Sequence, residues 1–462
     1  MTSDDAASDR LGIPREAVDR LVQRLEDEGL DPHALMITRG GTIAFEAAWA
    51  PYRSGEPALV YSVSKTWTAL AIGLLVDDGL LQVGDDAGAI LGLPNPHGIT
   101  VRHLLTMNTG HTPEQIDGLG MDPATLLSTP PAHAPGSFFA YNSDATYALS
   151  CIVTAVTGER VTDVLRPRLL DPLGIGARWM APWRGLEQGY SGYHLTVHDL
   201  ARVGTLLCDG GVRDGRRLVS REFLDELAHA WSDTSAHEDR APDDDWTLGY
   251  GYQVWRSTHG FRLDGAYGQF GLVVPDLDLV IAYQGATMTT QATLRAFWEL
   301  VDAVAAAGAA FDPAAGIVRP DEVVRDSWES RDRLVPAPDG AMAEAAGWSL
   351  DEAAVGWTLT MPELGAIAVA PDDWARTVLT DDRPEVDDRP QPVPGPATAP
   401  GRAVHVAARG ERRPDGGVRV HVVSTTSPHR ILVDAADDGT ITAAWHTVPL
   451  QERRLGILRV PA

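Results

Sequence analysis

Apolar residues first recur at helical spacing: Val18, Leu21, Val22 and Leu25 fall within residues 14 to 30 with charges between them, which predicts a surface helix with one buried face. The period then changes. Leu35 to Thr38 and Thr42 to Trp49 are short extended runs joined by Arg39-Gly40-Gly41, the pattern of a β-hairpin. From Ser62 to Leu80 the chain is apolar on nearly every face, which predicts a helix sunk in a core, with Gly79 in the C-cap place and Ser62 at the start. Residues 81 to about 245 alternate short helices with Gly/Pro-rich connections. Strand-like runs return at Gly251 to Ser257, Phe261 to Asp264, Gln269 to Val274 and Leu277 to Tyr283, and Gln291 to Ala307 reads as a helix over them.

Strands at both ends of this stretch, flanking a helical middle, predict an α+β architecture: one antiparallel sheet with flanking helices and a helical insertion, over residues 1–310. Residues 311–345 read as a linker. Residues 346–462 read as a small β-rich domain, with runs at Trp357 to Met361, Ala366 to Ala370, Val404 to Ala408, Val418 to Ser424, Arg430 to Val433 and Thr440 to Trp445. Inside it, residues 381–401 are dense in Pro and Asp and predict a loop.

With 462 residues and 44% hydrophobic content, the chain can bury real cores. A formal net charge of -26 argues against nucleic acid or an anionic membrane surface as partner. The richest apolar stretch, Ala69 to Leu80, is broken by Gly73, Asp77 and Asp78, so no run predicts a membrane helix. Met1 to Arg10 is polar and acidic, unlike a secretory signal, and Cys151 and Cys208 sit in apolar segments as expected of buried free thiols; a cytoplasmic protein fits both. The run Asp243-Asp244-Asp245 reads as a solvated loop.

Lys65 is the only lysine; the other basic residues are all arginine. Arginine keeps its proton in a protein, whereas burial can lower a lysine amine until it is a usable base. Ser62 stands three positions earlier, on the same face of the predicted helix and within hydrogen-bond reach. At a helix N-terminus its backbone N–H also lies near any oxyanion formed on it. The fourteen histidines show no zinc spacing, and there is no Gly-x-Ser-x-Gly elbow, Walker loop or dinucleotide fingerprint, so neither metal nor cofactor is expected.

Further segments follow in order: Leu104-Leu105-Thr106-Met107-Asn108-Thr109-Gly110, then Pro135 to Ser143 containing Tyr141-Asn142-Ser143, then Leu195 to Arg202, then Leu263-Asp264-Gly265-Ala266-Tyr267-Gly268-Gln269. Over roughly residues 10 to 310 the chain resembles the serine β-lactamase and penicillin-binding-protein superfamily, in particular its class C-like branch of esterases, D-stereospecific peptidases and 6-aminohexanoate-dimer-type amide hydrolases. The resemblance implies a β-lactamase-like fold and an acyl-enzyme, with Ser62 as nucleophile, Lys65 as general base and Tyr141 as proton shuttle. It implies oxyanion or substrate contacts from Ala266, Gly265, Ser143, Asn142, Gly268 and Gln269, the Ala266 and Ser62 N–H groups holding the oxyanion. Two departures stand out. Serine replaces asparagine in Tyr-x-Asn, as in the esterase and amide-hydrolase relatives, and the basic residue of Lys/His-Ser/Thr-Gly is lost at Leu263-Asp264-Gly265, which weakens recognition of a β-lactam carboxylate. Gly265 and Gly268 fit either close approach to substrate or a tight turn, and Asp264 reads as an ordinary surface carboxylate. Trp183, Tyr190 and Tyr193 fit either pocket walls or structural aromatics. The expected partner is a small-molecule ester or amide, with homo-oligomerisation left open; the rival reading is a non-catalytic or slowly acylated ligand-binding or sensor protein.

Overall fold

The alternation of apolar runs resolves into layers around a seven-stranded sheet. The protein is described by a computed structural model covering residues 8, 10–176, 180–235, 240–308, 322–326, 334–382, 390–398, 401–450 and 455–460. Helix α1 (Arg15–Asp27) buries Val18, Leu21, Val22 and Leu25, and strands β1 (Pro32–Arg39) and β2 (Thr42–Trp49) form the expected hairpin. Helix α2 (Val63–Asp77) is buried on all sides from Val63 to Leu75. The helical middle is dominated by α3 (Ser143–Thr157) and α4 (Val197–Cys208). Strands β3 (Trp255–Arg256), β4 (Phe261–Gly265), β5 (Gln269–Val274) and β6 (Leu279–Gly285) and helix α5 (Thr290–Ala307) follow.

With β7 (Val323–Arg325), the strand order is β7-β2-β1-β6-β5-β4-β3. All pairings are antiparallel except β7 with β2. One sheet face packs on α1 and α5 through Leu35, Ile37, Leu272 and Ile281. The other packs on α2, α3 and α4 through Met36, Val273 and Ala282. Period-2 alternation of buried side chains on both faces is what a central sheet between helix layers requires.

Beyond this sheet, β8 (Ser349–Glu352), β9 (Trp357–Met361) and β10 (Gly365–Val369) form one antiparallel sheet. A second runs β11 (Ala375–Thr380), β12 (Ala403–Arg412), β13 (Val418–Ser424), β14 (Arg430–Ala435) and β15 (Ile441–Trp445), with β16 (Arg459–Val460) also on β12. The two share one core that includes Trp357, Leu359, Val406, Val420, Val433 and Trp445.

Several expectations need adjustment. The run Gly251 to Ser257 yields only the two-residue β3. Strand β7 lies in the stretch read as linker and adds a parallel edge to the first sheet. Asp245 is not solvated: it is buried, its carboxylate accepting from Trp298 Nε1 at 3.1 Å and Thr258 N at 2.9 Å. Cys151 is a buried free thiol and Cys208 a half-buried one. In the Pro/Asp-rich stretch, residues 383–389 and 399–400 lie outside the described residues; Val393 between them is buried in the helical-side core.

Candidate active site

Ser62 occupies the N-cap position of α2 with its side chain making no capping hydrogen bond, and the helix it opens fixes Lys65 one turn along. Lys65 Nζ lies 3.1 Å from Ser62 Oγ, 3.1 Å from Ser143 Oγ and 3.0 Å from the Tyr190 carbonyl oxygen. Among the described residues no carboxylate pairs with it. A neutral amine offers two N–H donors and one lone pair, and three partners match that inventory: the carbonyl can only accept, so the lone pair is available to a serine O–H. Burial without a counter-charge lowers the Lys65 pKa to about 7. Ser64 points elsewhere, its Oγ accepting from Tyr193 N.

Tyr141 lies beside this pair, its ring 4.9 Å from Lys65 Nζ. Its ring stacks on Trp255 at 5.7 Å and meets Tyr250 edge-on at 6.2 Å. Burial raises the phenol pKa, with the neighbouring Ser62 side chain only partly offsetting it, so the hydroxyl keeps its proton. Asn142 is fully buried and caps α3, its Oδ1 accepting from Ala145 N at 3.1 Å. Ser143, the next residue, faces Lys65 as above.

Gly265 ends β4 against the segment before Ser62. A Cβ there would lie 2.2 Å from the Val60 carbonyl oxygen, so only glycine permits this approach of the two backbones. Gly268, at φ +85°, serves the tight turn into β5. Ala266, at the start of that turn, and Ser62 each carry a backbone N–H that meets no carbonyl or side-chain acceptor among the described residues. Gln269 is buried opposite Gly265, its side chain donating to the Gly285 carbonyl at 2.6 Å.

Asp264 is no ordinary surface carboxylate. Its Oδ2 accepts from Arg262 Nε at 2.7 Å, and the Arg262 side chain is fully buried, stacked over Trp246 at 4.6 Å. Leu263, at the position where a basic residue was expected, is buried in the core. Arg262 is the nearest cation in sequence; its Nε donates to Asp264 and its Nη1 to the Arg256 carbonyl and Ser257 Oγ, while its buried Nη2 meets no acceptor among the described residues. Of the three aromatics left open, Tyr193 packs edge-on to Trp67 in the core and Trp183 donates to the Met121 carbonyl. Tyr190 contributes its backbone carbonyl, a role that no side-chain motif encodes.

The sequence profile of the beta-lactamase family matches residues 18–306, more than half of the chain. The chain belongs to the beta-lactamase family. It is similar to a 6-aminohexanoate-dimer hydrolase of Paenarthrobacter ureafaciens, 27% identical over 238 residues, which cover 45% of this chain and 59% of that relative. The match thus spans less than two thirds of that protein's length. Among solved structures, a family VIII carboxylesterase superposes with a TM-score of 0.50 at 16% identity, covering 63% of this chain and 96% of that one. SurE superposes with a TM-score of 0.50 at 18% identity over 92% of this chain and 99% of its own, so the shared architecture reaches into the C-terminal sheets. Among the described residues no helix is long and apolar enough to cross a membrane, and no group of three His, Cys, Asp or Glu side chains is placed to hold a metal ion.

Proposed function

We propose that this beta-lactamase-family protein is a serine hydrolase that cleaves an ester or amide through an acyl-enzyme on Ser62. One observation carries the proposal: the lone lysine, buried and without a carboxylate partner among the described residues, has its amine 3.1 Å from the Ser62 hydroxyl. In the first step Ser62 Oγ attacks the substrate carbonyl and its proton passes to the Lys65 lone pair. The oxyanion is met by the Ser62 and Ala266 N–H groups. Tyr141, protonated and beside Lys65, hands a proton to the departing alcohol or amine and is reprotonated from Lys65. Water then attacks the acyl carbonyl, its proton passing through Tyr141 to Lys65; the tetrahedral intermediate collapses, the bond from carbon to Ser62 Oγ breaks, and Lys65 returns the proton to Ser62 Oγ, leaving the amine neutral.

The relatives support an ester or amide as substrate, one being named a dimer hydrolase and another a carboxylesterase. The buried Leu263 and the Arg262–Asp264 pair favour an acyl group without a carboxylate. A binding or sensor role gains nothing from a lowered lysine pKa. Treating the purified protein with a fluorophosphonate probe and reading its intact mass, alongside a panel of p-nitrophenyl esters and D-aminoacyl amides, tests the proposal. A wild-type protein that takes no label and turns over none of the panel would refute it.

A further inference from the structure

The residue just before Ser62 is held in a conformation that a tyrosine avoids. Tyr61 has φ +48°, in the left-handed region, where a bulky residue persists only if its surroundings hold it. Those surroundings include the turn between β13 and β14 of the C-terminal sheet. Tyr61 is buried, and its hydroxyl lies 2.5 Å from Nε2 of His429, 368 positions further along the chain. His429 is fully buried and its Nδ1 lies 2.9 Å from the Thr447 carbonyl oxygen. A carbonyl oxygen only accepts, so Nδ1 bears the hydrogen, Nε2 of the neutral ring is a bare acceptor, and the Tyr61 O–H donates to it. Burial keeps the ring neutral, with its pKa lowered to about 4.

The same part of the sheet grips two more points. Leu59 N donates to the Thr426 carbonyl at 2.9 Å. On the other side, Tyr267, also at positive φ (+64°), donates its hydroxyl to the Val448 carbonyl. The Tyr61, Tyr267 and His429 rings meet edge-on with centroids 5.3 to 5.9 Å apart. Ser62 follows Tyr61 and Ala266 precedes Tyr267, so the residues bearing the two N–H groups that meet no acceptor among the described residues are each adjacent to a tyrosine pinned to residues 424–448.

We infer that His429 is a positioning residue: the C-terminal sheet, through His429–Tyr61 and Val448–Tyr267, holds the Ser62 and Ala266 N–H groups at the spacing that receives an oxyanion. This rests on the Ser62 acyl-enzyme proposed above. Its signature is a loss confined to species with a tetrahedral, negatively charged oxygen, because the two tyrosine hydroxyls bond to His429 and the Val448 carbonyl and not to the side chains of Ser62 or Lys65.

The experiment uses the full-length chain. Fluorophosphonate labelling of wild-type Ser62 comes first, and failure there counts against the acyl-enzyme rather than against the strap. Tyr61→Phe, His429→Ala and His429→Gln are then compared for kcat/KM on a p-nitrophenyl ester. Each is also compared for affinity toward a boronic acid, which forms a tetrahedral adduct on serine, and toward an unreactive ether analogue of the ester. Outright loss of one oxyanion donor costs about 100- to 1,000-fold, so a loosened site is expected to lose at least about tenfold in kcat/KM and in boronate affinity together, with ether binding changed by less than about twofold. His429→Gln, whose side-chain carbonyl can accept from Tyr61, is expected to recover most of the loss seen in His429→Ala. Tyr61→Phe keeps the ring and its packing and carries the test if His429→Ala does not fold. A folded Tyr61→Phe protein with wild-type kcat/KM and boronate affinity would overturn the inference, even if its melting temperature falls, and so would an equal loss in ether binding.

Discussion

Replacing Lys65 by arginine keeps a positive charge and removes the ability to give up a proton, so it separates a base from a counter-ion. A lysine amine at its ordinary 10.5 would be about 0.03% neutral at pH 7; at about 7 it is about half neutral, so burial enriches the usable base by roughly a thousandfold. The guanidinium has no accessible neutral form, and its planar fork does not fit among Ser62 Oγ, Ser143 Oγ and the Tyr190 carbonyl, all within 3.1 Å of the amine. Positioned proton transfer contributes on the order of 100- to 10,000-fold, so Lys65→Arg is expected to lose at least about 100-fold in kcat/KM, or about 2.7 kcal/mol of transition-state stabilisation. The pH dependence has a definite sign. With Lys65 as the proposed base the active form is the unprotonated amine, so wild-type kcat/KM should be level above the Lys65 pKa and fall about tenfold per pH unit well below it. Steady-state hydrolysis of a p-nitrophenyl ester from about pH 5.5 to 9, with circular dichroism to confirm folding, makes both measurements. A folded Lys65→Arg protein retaining more than about a tenth of wild-type activity, or a wild-type profile with no acid limb near neutrality, would remove the base role.

Ser62→Ala should fold normally and take no adduct from a fluorophosphonate, as intact mass would show; an adduct persisting in the variant moves the nucleophile elsewhere. Benzylpenicillin should be hydrolysed far more slowly than a small ester, because Leu263 is buried and Arg262 is neutralised by Asp264; comparable turnover in parallel assays would contradict that reading of the pocket. Gly265→Ala should lower kcat/KM at least about tenfold, since the added Cβ would meet the Val60 carbonyl oxygen at 2.2 Å and push the Ala266 N–H away from Ser62; unchanged kinetics would show that the backbone yields without moving the donor.

Much of the main sheet was legible because its strands and α2 bury both faces and so write long apolar runs, as in Gln269–Val274 and Val63–Leu75. Edge strands left little trace. Ser349–Glu352 and Ala375–Thr380 are largely exposed, and a strand that buries one face at most needs few apolar residues. Ser62, Lys65 and Ser143 were legible as a cluster because one helical turn joins the first two and a family motif names the third. Asp264 looked like a surface carboxylate because Arg262, which neutralises it, sits two residues away on the same strand face and only burial reveals the pair. The Tyr190 carbonyl and His429 were invisible for different reasons: the first acts through backbone, and the second reaches the site across 368 positions of chain.

That the one lysine of this chain is also 1% exposed and beside Ser62, the proposed nucleophile, gives the protein an internal reporter. Biosynthetic incorporation of 13C-lysine would place the isotope at a single residue, with no second lysine to assign it against. The chemical shift of that one ε-carbon would trace protonation of the Lys65 amine directly as pH is changed. Repeating the titration on the acylated enzyme would show, from the same resonance, where the proton resides before water arrives.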